Sequence, residues 1–301
     1  MAKTADTAAV SAIEGVRRTD ICILFDISNG NPNGDPDRGN APRRNPITGQ
    51  GLVTGVCLKR KIRDRIAERY EGQPGMEIFI TRDAVLGEKK AETIKGKADP
   101  NTAIQERFYD VRAFGAVLRA NKSEESRADN VNGPVQVSYA QTIDEIQVSE
   151  PAITRCASEN RREREGRELD NKTFGAQPML HYGLYRAHIF VDPIKARKTG
   201  FSSDDFAALK DALLNLFEGD RAGMRNTMCV RAVYAFEHVS AYGTPGANGL
   251  ELLEAVAVER KSNTPATSYA DYNIYLPENL PEGVTMQVWK APQSFGRKLA
   301  A

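Results

Sequence analysis

The chain has 301 residues, of which 41% are hydrophobic and 27% charged, and Lys plus Arg exceed Asp plus Glu by a single charge. That is the balance of a soluble globular protein with a sizeable core. No apolar run is long enough to span a bilayer, and aromatics at 7% do not favour a mechanism built on many stacked bases. The opening MAKTADTAAVSAIEGVRR lacks the apolar centre of a signal peptide, so a cytoplasmic protein without a membrane partner is expected.

In chain order, DICILFDIS (20–28) alternates, with Ile21, Ile23, Phe25 and Ile27 on one face of a predicted strand. A loop dense in Gly, Asn and Pro follows, NGNPNGDPDRGN, in which Asn31, Asn33, Gly34 and Asn40 are candidate anion-facing positions. Exposed backbone N–H groups beside a helix N-terminus suit phosphates. The helix is predicted over 52–70, with a core stripe of Leu58, Ile62 and Ile66. Between residues 41 and 70 stand eight Lys and Arg against two acids, so the positive charge is concentrated. MEIFIT (76–81) reads as a short strand, and a helix is expected near 102–109 within a polar insertion. GPVQVSYA (133–140) reads as a second core strand.

A charged excursion then runs from about 149 to 183. It carries six basic and five acidic residues between Arg155 and Lys172, as an exposed hairpin or a partly disordered arm would. LYRAHIFVD (184–192) alternates clearly. A helix follows from the capping signature Ser202–Asp205 to Gly219, and MCVRAVYAFEHV (228–239) is another strand. Further strands are expected near 251–259 and 284–290. The strong elements spell βαββαβ, an α+β pattern of the ferredoxin-like kind shared by RNA-recognition motifs.

Several chemistries fail on spacing. The four cysteines form no C-x-x-C pair and the three histidines are scattered, so free thiols and no metal are expected. An EF-hand placed at Asn31 puts Pro36 in the glycine position and Pro42 in the place of the closing glutamate. Neither a Walker A loop nor G-x-G-x-x-G occurs in the glycine-rich loop, and no Ser/His/Asp or Cys/His set assembles locally. The basic helix has a bland reading as a solvated face, with Arg60 and Asp64 four apart. Against it stand Lys59 and Arg63, one turn apart, with no acid four residues from Lys59. Two cations about 5–6 Å apart can follow successive phosphates. Arg43 and Arg44 extend that track. RAFGAV (112–117) matches the RNA-recognition aromatic motif in part, which adds Arg112 as a candidate. Gln136 either touches RNA or pairs with backbone.

On the stretches NGNPNGDPDRGN, TGQGLVT, CLKRKIR, DVRAFGAV, GPVQ and YGLYRAHIFVDP, the chain resembles the Cas-seven family, specifically the backbone subunit of the type I-C CRISPR interference complex (Cascade). The resemblance spans 25–192 and continues more weakly to 240. Gly55 departs from it, standing where an acid is expected. It implies a hand-like fold with a modified RNA-recognition palm (about 19–71, 133–145 and 184–301), a fingers or web insertion (about 76–132) and a thumb hairpin (about 145–183). It also implies a non-catalytic, cofactor-free subunit that polymerises on CRISPR RNA beside further copies of itself and other Cascade subunits. The guide is thereby presented to a target DNA strand. Arg43, Arg44, Lys59, Arg60, Arg63, Arg112 and Gln136 are the expected RNA contacts. The competing expectation is a metal-dependent ribonuclease acting through Asp35 and Asp37, by analogy with type III backbone subunits. A third is a general single-strand RNA chaperone.

Overall fold

Alternation in the first strand sets the core: with both neighbours β-paired, its odd residues must face one layer and its even residues the other. In the computed structural model, which describes residues 15–118, 128–154 and 174–291, both layers are covered. Strand β1 (Thr19–Gly30) lies between two long strands numbered below. Ile21, Ile23, Phe25 and Ile27 join one core, while Cys22 and Leu24 join another on the opposite face.

After β1 come β2 (Gln50–Val53), α1 (Gly55–Arg69), α2 (Leu86–Ile94), α3 (Pro100–Arg107) and α4 (Tyr109–Phe114). Next are β3 (Val135–Val137), β4 (Ala140–Glu145), β5 (Val148–Ser149), β6 (Ala152–Thr154), β7 (Phe174–Ala176) and β8 (Met179–Val191). The chain continues through α5 (Pro193–Thr199), α6 (Ser203–Leu214), β9 (Cys229–His238), α7 (Gly249–Glu254), β10 (Ala257–Arg260), β11 (Tyr272–Tyr275) and β12 (Val284–Lys290). The main sheet runs β12-β9-β1-β8-β4-β2, with β3 and β5 also paired to β8, and every pairing is antiparallel. The protein is thus a mixed α+β fold around one large antiparallel sheet.

Helices α1 and α6 cover one face, through Leu58, Ile62 and Ile66 and through Leu209 and Leu213. Phe25 stacks on Tyr185 at 5.2 Å beneath them. The opposite face is closed by α7, whose Leu252 and Leu253 meet Tyr234 and Phe236. A satellite core of Phe79, Ile94, Ile104, Phe108 and Val111 holds the insertion between α1 and β3 together.

Most long elements match the sequence expectations, and the differences have local causes. The helix expected from 52 starts at Gly55: residues 50–53 pair with β4, and the Thr54 hydroxyl caps the helix by accepting from the Cys57 N–H at 3.1 Å. Gly55 fits where an acid would not, because a Cβ there would lie 2.5 Å from the Val137 carbonyl oxygen. MEIFIT forms no strand. The Asp110 carboxylate takes the N–H groups of Phe79 (2.7 Å) and Ile80 (3.1 Å) that a neighbouring strand would otherwise bind. The helix near 102–109 is two helices, α3 and α4. The segment 133–140 breaks at Ser138, whose hydroxyl donates to the next carbonyl at 2.8 Å. The helix expected to reach Gly219 stops at Leu214, although its capping box is present, and the strand expected near 251–259 is confined to Ala257–Arg260 because residues 249–254 are helical.

Strand β8 begins at Met179, so the last residues of the segment read as a thumb lie in the central sheet. The charged stretch between 155 and 172 lies outside the described residues. The ends that flank it, β6 and β7, pair as a ribbon.

Candidate nucleic-acid interface

Helix α1 distributes its cations by period. Cys57, Lys61 and Asp64 recur at four and three residues and share one flank with Arg60; Lys59 and Arg63 lie on another. The first flank lines a cleft of about 650 Å³. Its other walls are the glycine-rich loop (Asn31 to Gly34, Gly39, Asn40), Arg82, residues 176–178 at the foot of the β6–β7 ribbon, and the segment from Asp220 to Arg225. Among the described residues, Arg60, Lys61, Arg82 and Arg225 face two carboxylates there, Asp64 and Asp220, so these linings sum to net positive charge. A second hollow of about 360 Å³ shares Arg60, Lys61 and Arg82 and continues along α1 to Arg65 and Glu68.

The carboxylates hold the cations in place without neutralising them. Arg60 pairs with Asp64 through Nε at 3.1 Å and also donates to the Ile80 carbonyl at 3.1 Å. Lys61 is buried against Asp220, which also receives Arg225 at 3.2 Å, so one acid serves two cations. Burial raises the Asp220 carboxyl, but the bond and charge of Lys61, with Arg225, outweigh it and leave it below the usual carboxylate range. Burial pushes the Cys57 thiol up, so the cleft holds an inert thiol rather than a nucleophile.

The other flank of α1 and helix α4 each place an expected RNA contact inside the protein. Arg63 is buried, its Nε 2.8 Å from Asp110 and its guanidinium 5.1 Å from the centre of the Phe114 ring, so it braces the insertion instead of facing a strand of RNA. Arg112 is likewise internal: it binds Asp205 bidentately at 2.9 and 2.7 Å and donates to the Gln105 carbonyl at 2.7 Å. Lys59 sits 5.3 Å from the Phe114 ring centre and is half-buried. Burial, with Arg63 nearby, holds its ammonium below the ordinary value of 10.5. Gln136 donates to the Gly133 carbonyl at 2.9 Å, taking the backbone alternative.

Arg43 pairs with Asp35 at 3.4 Å, and Arg44 is exposed beside the cleft loop. That loop is built differently from the expected amide cradle. The N–H groups of Asn31, Asn40 and Arg43 go to carbonyls of Met224, Asp35 and Asn33, and the Asp37 N–H goes to the Asp35 carboxylate. Asn33 takes the Thr54 N–H at 3.0 Å, and a Cβ on Gly34 would collide with the Asn40 side chain. These loop N–H groups are therefore taken up within the protein, and the positive charge of the cleft comes from side chains. Asp35 and Asp37 gather no third metal-ligating residue, among the described residues. Away from the cleft, the His188 Nε2 is buried without a hydrogen-bond partner among the described residues, and burial, then Arg186, lowers its pKa.

Sequence reasoning missed Arg82 and Arg225, which stand in loops with no periodic signal, and Lys61, whose signal was the basic helix itself.

A model of the family described as CRISPR-associated protein Cas7 matches residues 17–277. The chain belongs to the Cas7 family. A Cas7 protein of Haloferax volcanii is 29% identical over 217 residues, covering 64% of this chain and 62% of that relative's length. Similar chains also occur in solved structures. One is a CRISPR RNA-guided surveillance complex, pre-nicking, at 13% identity and TM-score 0.45 over 77% of this chain and 83% of that one. Another is a CRISPR RNA-guided surveillance complex at 16% identity and TM-score 0.43 over 77% and 78%. The Cas7 match begins just ahead of β1 and ends just past β11, so it takes in the whole cleft. No helix among the described residues is long and apolar enough to cross a membrane.

Proposed function

We propose that this Cas7-family chain is the non-catalytic backbone subunit of a type I-C Cascade, acting in the cytoplasm. Copies of it assemble on CRISPR RNA with other Cascade subunits and present the spacer to a target DNA strand. The palm and fingers have the limits given above, and the thumb is the part of 145–183 between β5 and β8, which both belong to the main sheet. The observation that carries this reading is the cation-lined cleft along α1, beside the glycine-rich loop, within a chain of near-zero net charge. Such a subunit stacks on its own kind without strong repulsion while a polyanion fills its basic track. An RNA-recognition palm is supported by strand order: β9-β1-β8-β4 places the four strands of the βαββαβ unit as fourth, first, third, second.

Within this reading the phosphate contacts are Arg60, Arg82 and Arg225 in the cleft, whose wall holds the buried Lys61–Asp220 pair, with Arg43 and Arg44 in the adjoining loop and Lys59 on the other flank of α1. Contacts of this kind are indifferent to sequence, as a guide-holding subunit requires, because base pairing reads the target. The ribonuclease alternative is disfavoured because the Asp35 carboxylate is engaged by Arg43 and by the Asp37 N–H.

The test is the nucleic acid that travels with the purified complex. Sequencing should return RNA of uniform length carrying CRISPR repeat sequence; heterogeneous cellular RNA would favour the chaperone reading instead. Incubating the complex with complementary RNA and magnesium should leave the target intact. Regular cuts that disappear in Asp37→Ala would overturn the non-catalytic assignment.

A further inference from the structure

The glycine-rich loop holds one acceptor that the fold leaves unanswered. Asn31 lies in the wall of the cleft with only 7% of its surface exposed. Its Nδ2 donates to the Asn40 carbonyl at 2.7 Å, and this fixes the amide orientation, leaving Oδ1 as the outstanding acceptor. Oδ1 is shielded from solvent and has no hydrogen-bond partner among the described residues. The backbone N–H of Asn31 is bound to the Met224 carbonyl at 2.8 Å, so the residue is anchored on two sides. A buried acceptor of this kind calls for a donor, and a donor brought by a ligand fits its place in the cleft wall.

A single strand in the cleft offers few suitable donors. Phosphate oxygens only accept, and they belong with Arg60, Arg82 and Arg225 on the same walls. Base amino groups depend on sequence, so they cannot serve every guide. The ribose 2′-hydroxyl is a donor present at every RNA nucleotide and absent from DNA. We propose that Asn31 is the residue by which this cleft distinguishes RNA from DNA, its Oδ1 accepting the 2′-hydroxyl of the nucleotide seated there. The inference rests on the guide-binding reading above.

The experiment titrates the full-length wild-type protein with one labelled single strand in three chemistries: RNA, DNA and 2′-fluoro RNA, which keeps an RNA-like sugar but has no hydroxyl proton. RNA should bind about tenfold tighter than the other two, the scale of one lost hydrogen bond at a buried partner. In Asn31→Leu that preference should vanish, with RNA affinity falling to the DNA value and DNA affinity holding within about twofold. Because leucine also abandons the Asn40 carbonyl, the wild-type ligand series stands as an independent arm. Equal binding of RNA and 2′-fluoro RNA by the wild type overturns the assignment and leaves the guide reading intact. So does an RNA preference that survives in Asn31→Leu, or equal weakening of both strands by it. Failure of the wild type to bind any of the three strands would overturn the guide reading itself.

Discussion

On one flank of α1, Arg63 lies under Phe114 with its guanidinium held by Asp110; on the other, Arg60 and Lys61 line an open cleft. The residues are neighbours in sequence and alike in charge. What separates them is the acid each one meets. Asp110 also binds two backbone N–H groups and is almost wholly buried, so its pair with Arg63 is a strut between helix and insertion. Asp64 and Asp220 are partly exposed; Arg60 stays open to the cleft, while Lys61 is buried and forms part of its wall. A basic helix can therefore be half scaffold and half binding surface, and the number of charges does not tell which half is which.

The largest expected effect breaks the strut. Asp110→Ala strands a buried guanidinium, which costs about 3–5 kcal/mol of unfolding free energy. Chemical denaturation measures it, and a loss below about 1 kcal/mol would place Arg63 among the surface cations after all. The counterpart on the open flank is the double charge reversal Arg60→Glu with Arg82→Glu. It should weaken RNA binding about tenfold to a hundredfold at low salt and reduce the slope of log K against log salt by about 1.4, two phosphates' worth for a single strand. Thermal stability should change little, and an unaltered salt slope would remove both residues from the cleft's phosphate contacts.

Thr54→Ala tests what the two flanks share, since its hydroxyl caps the whole helix; a loss of about 1 kcal/mol is expected, with RNA affinity little affected. The smallest effect concerns Lys59. Its folded pKa lies below 10.5, held down by burial and then by Arg63, so the unfolded chain binds this proton first as pH falls from the alkaline side. Stability therefore rises with pH between the folded value and 10.5. Lys59→Met should flatten that window, and a wild-type slope retained in the variant would show that Lys59 is not the group responsible.

The sheet was legible wherever a pattern was local. The alternation of Ile21, Ile23, Phe25 and Ile27, that of Tyr185 to Val191, and the capping box at Ser202 each declare themselves within a dozen residues. Short elements were not: residues 50–53 become a strand only because β4 pairs with them, and MEIFIT has strand-like residues but the N–H groups of Phe79 and Ile80 go to Asp110. The site was half legible. Charge density marked α1, yet the pairs Arg63–Asp110 and Arg112–Asp205 join residues far apart in the chain, and no spacing rule reaches across such gaps. Arg82 and Arg225 sit in irregular loops and were brought to the cleft by folding alone.

The position of β1 carries a consequence for how the molecule is made. Ile21 pairs with Ile189 on one side and Ala235 on the other, so β1 is synthesised well ahead of both strands that cover its edges. Contacts so distant slow closure and leave an apolar ribbon uncovered meanwhile. Synthesis of this protein should accordingly depend on chaperones that shelter the nascent N-terminal segment until β9 emerges.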